Sequence, residues 1–483
     1  MLFPKLANNT PLALLPDGKL TFREKFSYGL GDFACQLLIG PAGGLLIYYY
    51  TEYVGIDISS IGIILLLSRL LDGVSDIIVG TLVDRTRSPY GRQRVWLLRT
   101  AIPFMIALIL LYSVPLDWEY SWKLVYVFIS YNIAITVIYT CTNLPYGSLA
   151  ASITQDYGER AKLSIYRMLL AAAGGSFAGA ATLYIVEFLQ NTFFDGQRTP
   201  LAWVITMTLY GAAAVVLIYF VVANTRERTN CRSGEDSEAI PDKKDIVIGI
   251  SELFKNRYWI FLTVGCLALW AAEAAAGAAG TYYSQYFLSD PKIIGVYGLY
   301  GTVVRLLLLF FVAPIIMVRW GKRNAVLFGI MFVLLSYVLR FLFPYSHEMN
   351  LLLTLVNGVG QAFTWTGMFA MIPDTVEYGE FRFHVRREGL LFAGATFSMK
   401  VASGVGPALT TFFVSSAGYV SGAEIQSAQT MTAILYATTL IPALLYLICI
   451  GSLLAYRLDK EYPQILEALA IRDAEKEALP QGN

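Results

Sequence analysis

The sequence predicts an all-α membrane protein with twelve transmembrane helices arranged as two six-helix halves. Three observations predict it: long apolar runs, basic residues confined to alternate loops, and an echo between the halves. Of 483 residues, 56% are hydrophobic, 14% aromatic and only 15% charged, against about 25% charged in a soluble domain. Apolar runs cover 62–71, 102–114, 204–222, 303–318, 325–339 and 433–455. Extended into its flanks, each reaches the roughly 20 residues that a helix needs to cross ~30 Å of hydrocarbon. Barrel strands would instead alternate over ~10 residues.

Taken in order, the spans fall near 26–52, 58–82, 95–114, 122–151, 163–189 and 201–223 in the first half. The second half places them near 258–288, 293–318, 324–344, 350–373, 388–416 and 430–456. The N-terminal segment, the even-numbered loops and the C-terminal tail collect the basic residues, among them Arg85, Arg92, Arg160, Arg226, Lys244, Arg323, Arg382 and Arg457. The opposite side holds Lys123, Arg198 and Lys292. The positive-inside rule therefore places both termini in the cytoplasm. Residues 1–22 form a cytoplasmic segment without the apolar core of a signal peptide. The first half covers 23–224, a polar linker 225–252, the second half 253–457 and a cytoplasmic tail 458–483.

The halves echo each other in sequence. Tyr157-Gly158-Glu159 follows the fourth span and Tyr378-Gly379-Glu380 the tenth, 221 residues later. Gly91-Arg92 follows the second span and Gly321-Lys322-Arg323 the eighth, 230 residues on. Two six-helix halves with a midplane site at their interface are the architecture of the major facilitator superfamily. A net charge of +1 gives no nucleic-acid surface. The five cysteines lack paired spacing and read as small hydrophobes. No phosphate-binding loop, zinc-binding helix or nucleophile elbow is present, so neither an enzyme nor an ATP-driven pump is expected. Ion-gradient coupling remains, with no cofactor.

Asp72 and Asp76 lie one turn apart on the second span and face the same way. Each charge costs roughly 2.5–3.5 kcal/mol at a helix centre. A bound cation, Na+ or H+ and possibly Li+, relieves both the burial and the repulsion, since carboxylate oxygens suit a hard ion. The plainer alternative is an ion pair with Arg69 or Lys400. Thr140 and Asn143, three apart on the fourth span, offer neutral oxygens. Helix-to-helix hydrogen bonding explains them equally well. Glu273, isolated among small residues, is read as protonated, bonded to a polar substrate, paired with Arg305, or simply packed against a polar neighbour. Lys400 is an intramembrane cation that contacts substrate or switches between the acids. Trp365, beside Gln361 and Thr364, suits a sugar-stacking platform. Most other aromatics, including Tyr48, Tyr49, Tyr50, Tyr139 and Trp270, are expected at the lipid, in the core or in the interfacial belt.

Seven ordered motifs resemble the glycoside–pentoside–hexuronide:cation symporters, across residues 22–456. They include Tyr28-Gly-Leu-Gly-Asp-Phe, Tyr48-Tyr-Tyr-Thr-Glu-Tyr-Val-Gly, Arg69-Leu-Leu-Asp-Gly-Val-Ser-Asp and Asp84-Arg-Thr-Arg-Ser-Pro-Tyr-Gly-Arg. Asn143-Leu-Pro-Tyr-Gly-Ser-Leu, Asp374-Thr-Val-Glu-Tyr-Gly-Glu and Arg387-Glu-Gly-Leu complete them. The resemblance implies symport of a sugar, glycoside, pentoside or hexuronide with a cation, by alternating access. It implies a cation site at Asp72, Asp76 and Thr140 (Na+ if sodium-coupled). On the substrate side it implies Arg167, Trp365, Thr396 and Lys400, and Tyr139 and Glu273 join that set. The family's best-known member has a Lys-Asp pair where this chain has Cys35 and Gln36. It also has an aspartate at Asn143 and a tryptophan at Gly147. Galactoside specificity is therefore not expected; the less negative site suits a glucuronide or a neutral pentoside alike. Asp84, Arg92, Arg160 and Arg382 are expected to latch the cytoplasmic side. The expected setting is the plasma (bacterial inner) membrane, with the chain working as a monomer. A lipid or lysolipid carrier and a non-transporting sugar sensor are the rival readings.

Overall fold

The structure is a computed structural model that describes residues 19–154, 156–228, 251–383, 388–423 and 425–478. Its regular elements are helical. The first six spans are α1 (Phe22–Ile39) with α2 (Gly44–Glu52), α3 (Ile58–Arg85), α4 (Arg92–Tyr112), α5 (Tyr120–Tyr131) running into α6 (Thr140–Ile153), α7 (Tyr157–Phe193) and α8 (Pro200–Asn224). The next are α9 (Arg257–Phe287), α10 (Ile293–Phe311) with α11 (Ala313–Trp320), α12 (Lys322–Leu342) and α13 (His347–Phe383). Last come α14 (Glu388–Ser416), α15 (Ala428–Thr438) with α16 (Leu440–Ala455), and α17 (Leu458–Ala478). Among the described residues, nine helical stretches are long and apolar enough to cross a membrane. The other three expected spans are α3, α13 and α14, helices of 28, 37 and 29 residues that carry internal charges.

Local chemistry explains the interruptions and ends. The first span breaks at Gly40-Pro41-Ala42-Gly43, where proline removes a backbone donor. Thr21 caps α1 by accepting from the Glu24 amide at 3.2 Å. Asp57 caps α3 by accepting from the Ser59 and Ser60 amides at 3.0 and 3.2 Å. Between α5 and α6, Asn132–Tyr139 is wound as a π-helix.

By internal contacts the chain forms two compact units. One comprises Met1–Asp236, Gly277–Leu299 and Pro407–Ile434. Its inserted pieces are tied in by polar contacts: Tyr419 donates to Glu52, the Thr51 and Tyr282 hydroxyls lie 2.6 Å apart, and Lys292 pairs with Glu187. Tyr48, Tyr49 and Tyr50 are core residues here, Tyr49 and Tyr50 donating to the carbonyls of Tyr112 and Leu111. The other unit comprises Ser237–Ala276, Tyr300–Gly406 and Leu435–Asn483. Its largest cluster gathers Tyr258, Leu262, Leu269, Ile330, Val333, Met371 and Tyr446.

The echo in sequence is matched by an echo in contacts. Glu227, just after α8, accepts from the amides of Arg92, Gln93 and Arg94 at 2.9, 3.0 and 2.9 Å. Asp459, just after α16, accepts from the Arg323 amide at 3.2 Å. Gly91 and Gly321, the residues just before α4 and α12, have φ of 97° and 83°, a region that suits glycine. Arg228 grips Glu24 through two bonds of 2.9 and 2.8 Å, and Arg257 meets Glu461 at 3.1 Å with the charges exchanged. Both pairs span 204 residues of chain. The Tyr-Gly-Glu glutamates are bound alike, Glu159 by Lys25 at 3.1 Å and Glu380 by Arg472 at 2.6 Å.

Candidate functional site

The glycines on α1 and α7 meet within one chain. A Cβ on Gly174 would lie 2.9 Å from the Phe33 Cα, and one on Gly40 would lie 2.8 Å from the Ala178 Cβ. This close approach lets short polar side chains on the two helices touch. Gly295 likewise leaves no room for a Cβ against the Gly179 carbonyl.

Asp72 is buried, and each of its oxygens is held. Arg69 Nη1 donates to Oδ2 at 2.9 Å, and Thr136 Oγ1 donates to Oδ1 at 2.5 Å. Arg69 Nη2 also donates to the Tyr131 hydroxyl at 2.8 Å. Thr140 Oγ1 donates to Asp76 Oδ1 at 3.4 Å. Ser75 lies between the two acids, donating to the carbonyls of Asp72 and Thr136 at 2.9 Å. Asn132 Oδ1 lies 3.2 Å from the same Thr136 hydroxyl, while its amide donates to Ser68 at 2.9 Å. The π-wound stretch and the first residue of α6 thus aim a ladder of neutral oxygens at the acids of α3. π-Helical turns recur at functional sites. The ion pair with Arg69 is present, and it reaches one acid of the two.

A second cluster forms one turn below Gln36 on α1. Arg167 Nε donates to Asp32 Oδ2 at 2.7 Å. Its guanidinium lies 5.1 Å over the Tyr146 ring, which stacks on Tyr28 at 4.9 Å. Tyr146 is fixed by donating to the Tyr28 carbonyl at 2.7 Å. Gln36 rests on Gly174 and Gly175, and Gly147 leaves its face open to Arg167 Nη1. Cys35 meets Asn143, which joins Asn143 to this cluster. Tyr139 lies within electrostatic reach of Cys35, Asp32, Arg167 and Arg69, so it stands beside both clusters.

A third cluster belongs to the other unit. Glu273 accepts from the Tyr446 hydroxyl and from Gln361 Nε2, the latter at 2.7 Å. Gln361 Oε1 accepts from Arg305 Nη1 at 3.0 Å. Glu273 and Arg305 are therefore linked through an amide. The Arg305 guanidinium lies 4.4 Å over Trp365, whose ring is 4.6 Å from that of Trp270. The Trp365 indole N–H is buried and meets no acceptor among the described residues. Lys400 is half-buried on α14, and Thr396 is exposed.

Of the expected latch residues, Arg160 donates to the Thr154 carbonyl at 3.1 Å and Arg382 to the Tyr378 hydroxyl at 2.9 Å. Arg92 contributes its amide to Glu227 at 2.9 Å. The side chain of Asp84 and most of the linker lie outside the described residues.

Asp32 and Thr136 are absent from the residues singled out in the sequence. The signals were there: an acid inside the first span, and Asn132, Thr136 and Thr140 at four-residue spacing along one helical face.

Residues 27–460 match the family of MFS/sugar transport proteins. The chain is 30% identical to the uncharacterized symporter YnaJ of Bacillus subtilis, covering 94% of this chain and 96% of that one. It is 28% identical to the isoprimeverose transporter of Lactiplantibacillus pentosus, with 97% and 95% covered. It is also 28% identical to the glucuronide carrier protein homolog of Escherichia coli, with 93% and 95% covered. Among solved structures, a bacterial homolog of the human lysosomal transporter Spinster superposes with a TM-score of 0.64 at 13% identity. That match covers 92% of this chain and 97% of that structure, and it bears on the fold alone.

Proposed function

The chain belongs to the MFS/sugar transport family, and we propose that it carries a sugar or glycoside into the cell together with Na+ or H+. The membrane is the plasma membrane, the basic loops and both termini face the cytoplasm, and the monomer is the working unit. Relatives named for isoprimeverose transport and glucuronide carriage support the substrate class. A relative named as a putative glycoside/cation symporter supports the coupling.

One observation carries the reading: two acids on α3 face hydroxyls presented at 2.5 and 3.4 Å by the neighbouring span. The cation binds at Asp72, Asp76, Thr136 and Thr140, a set of hard oxygens. Arg69 pairs with Asp72, and the cation binds beside that pair. Binding it lowers the cost of a sugar-competent arrangement at Asp32, Cys35, Gln36, Tyr139, Asn143, Gly147 and Arg167. Tyr139 links the two sites. Trp365, Glu273, Thr396 and Lys400 serve the substrate in the other unit, and Asp84, Arg92, Arg160 and Arg382 act as cytoplasmic latches. Such coupling is reciprocal and typically worth about 1–3 kcal/mol.

Proteoliposomes holding the purified protein test this. A sodium or proton gradient should drive accumulation of a glycoside, and Asp76→Asn should abolish that dependence while counterflow persists at a reduced rate. Gradient-driven accumulation by Asp76→Asn at the wild-type level would remove the acid pair from the mechanism.

A further inference from the structure

We infer that this transporter selects neutral glycosides over anionic sugars, and that Asp32 sets the choice. The inference rests on Arg167 lying in the sugar site and goes on to name what that site accepts. A lone guanidinium in a half-buried pocket is the natural recogniser of a carboxylate, through paired, charge-assisted hydrogen bonds. Here the guanidinium is not alone. Asp32 Oδ2 accepts from Arg167 Nε at 2.7 Å, with the two side chains 10% and 31% exposed.

The pair is built in rather than incidental. A Cβ on Gly29 would sit 2.8 Å from the Tyr166 carbonyl oxygen and one on Gly174 2.9 Å from the Phe33 Cα, so α1 and α7 meet on both sides of Asp32. Tyr146 supports the guanidinium from beneath at 5.1 Å, and the Tyr28 hydroxyl shares it. The outcome is a neutral unit with two hydrogen-bonding sides. Asp32 keeps its second oxygen as an acceptor, and Arg167 Nη1 faces the open side of Gly147, 3.4 Å from where a Cβ would be.

Adjacent sugar hydroxyls fit such a unit, because each both donates and accepts. One hydroxyl donates to Asp32 while its neighbour accepts from Arg167. A substrate carboxylate gains from Arg167 but is repelled by Asp32, one hydrogen bond further away, and it must also be desolvated. The net attraction is thereby cancelled. Cys35, Gln36 and Asn143 add no charge to offset this.

The test is counterflow by the purified protein in proteoliposomes with methyl β-D-glucoside, methyl β-D-xyloside and methyl β-D-glucuronide. The first and third differ only in a hydroxymethyl against a carboxylate, so their ratio isolates charge. Wild-type protein should reach half-saturation with the glucoside or the xyloside at a concentration about tenfold or more below that for the glucuronide, the size expected of one charge-assisted hydrogen bond. Asp32→Asn should move the glucoside-to-glucuronide ratio by about tenfold towards the anion, and Asp32→Glu should restore it. Wild-type preference for the glucuronide would overturn the inference, as would an Asp32→Asn protein whose ratio is unchanged. The wild-type ratio stands whether or not the variants fold. If none of the three sugars exchanges, the sugar-transport reading itself falls, and this inference falls with it.

Discussion

Thr136 lies closer to the Asp72 carboxylate than any other described hydroxyl for which a bond is seen, donating at 2.5 Å from the π-wound turn. As a cation ligand it contributes one neutral oxygen, and a lost hydrogen bond or ligand of that kind is worth about 1 kcal/mol. Thr136→Ala should therefore raise the half-saturating cation concentration for uptake roughly fivefold, with Thr136→Ser close to wild type. An unchanged cation dependence in Thr136→Ala would leave Thr136 a purely structural hydrogen bond. At this scale the sequence was only partly legible. Asp72 and Asp76 stand out because two charges one turn apart in an apolar run demand a counter-charge, whereas Arg167 enters through the family resemblance. Asp32 carries the same signal, an acid inside an apolar span, but its role does not show until its partner is seen, since nothing in the spacing of residues 32 and 167 announces that α1 and α7 touch there. The Glu273–Gln361–Arg305 relay is hidden for the same reason. Its three members come from three helices, so the sequence leaves a direct pair and a polar neighbour equally open.

Helices were the most legible scale, because twenty apolar residues leave the backbone no choice but to satisfy its own hydrogen bonds. The expected span at 388–416 coincides with α14, and the remainder differ mainly at their ends. Breaks at Gly40–Gly43, at Val312 and at Thr439 went unseen, since each is at most four residues long and is averaged away over a span-length apolar run. What starts α4 and α12 was also out of reach. Glu227 and Asp459 come from distant sequence to accept the amides at the opened ends of those helices. A carboxylate there meets orphan N–H groups and the positive end of the helix dipole together. Glu227→Ala should therefore cost about 1–2 kcal/mol, seen as a lower unfolding temperature in detergent. Glu227→Gln, which keeps one acceptor, should lose less. Equal stability of the wild type and Glu227→Ala would show that water caps α4 as well as the carboxylate does.

Over the whole chain, basic residues near the helix ends need partners, and neighbouring acids supply them. Glu24 binds Arg228, Glu159 binds Lys25 and Lys162, Glu380 binds Arg472, and Asp374 binds Lys322. Apart from Glu159–Lys162, which lies within α7, each pair joins separate segments of one unit. Glu159 shows how this depends on pH. Burial alone would raise its carboxyl, but bonds from Lys162, Lys25 and the Leu20 amide outweigh burial and hold it below the ordinary glutamate range. A carboxyl whose folded value lies below its unfolded value stabilises the fold fully above the unfolded value, about 4.3. That contribution is lost as pH falls through the lower, folded value. Thermal unfolding in detergent should therefore place wild type above Glu159→Gln at pH 7, with the gap narrowing as the pH drops below about 4.3. A gap that stays constant across that range would mean that the glutamate acts through its shape and hydrogen bonds alone. A gap that closes would tie the acid sensitivity to the charge of Glu159 itself.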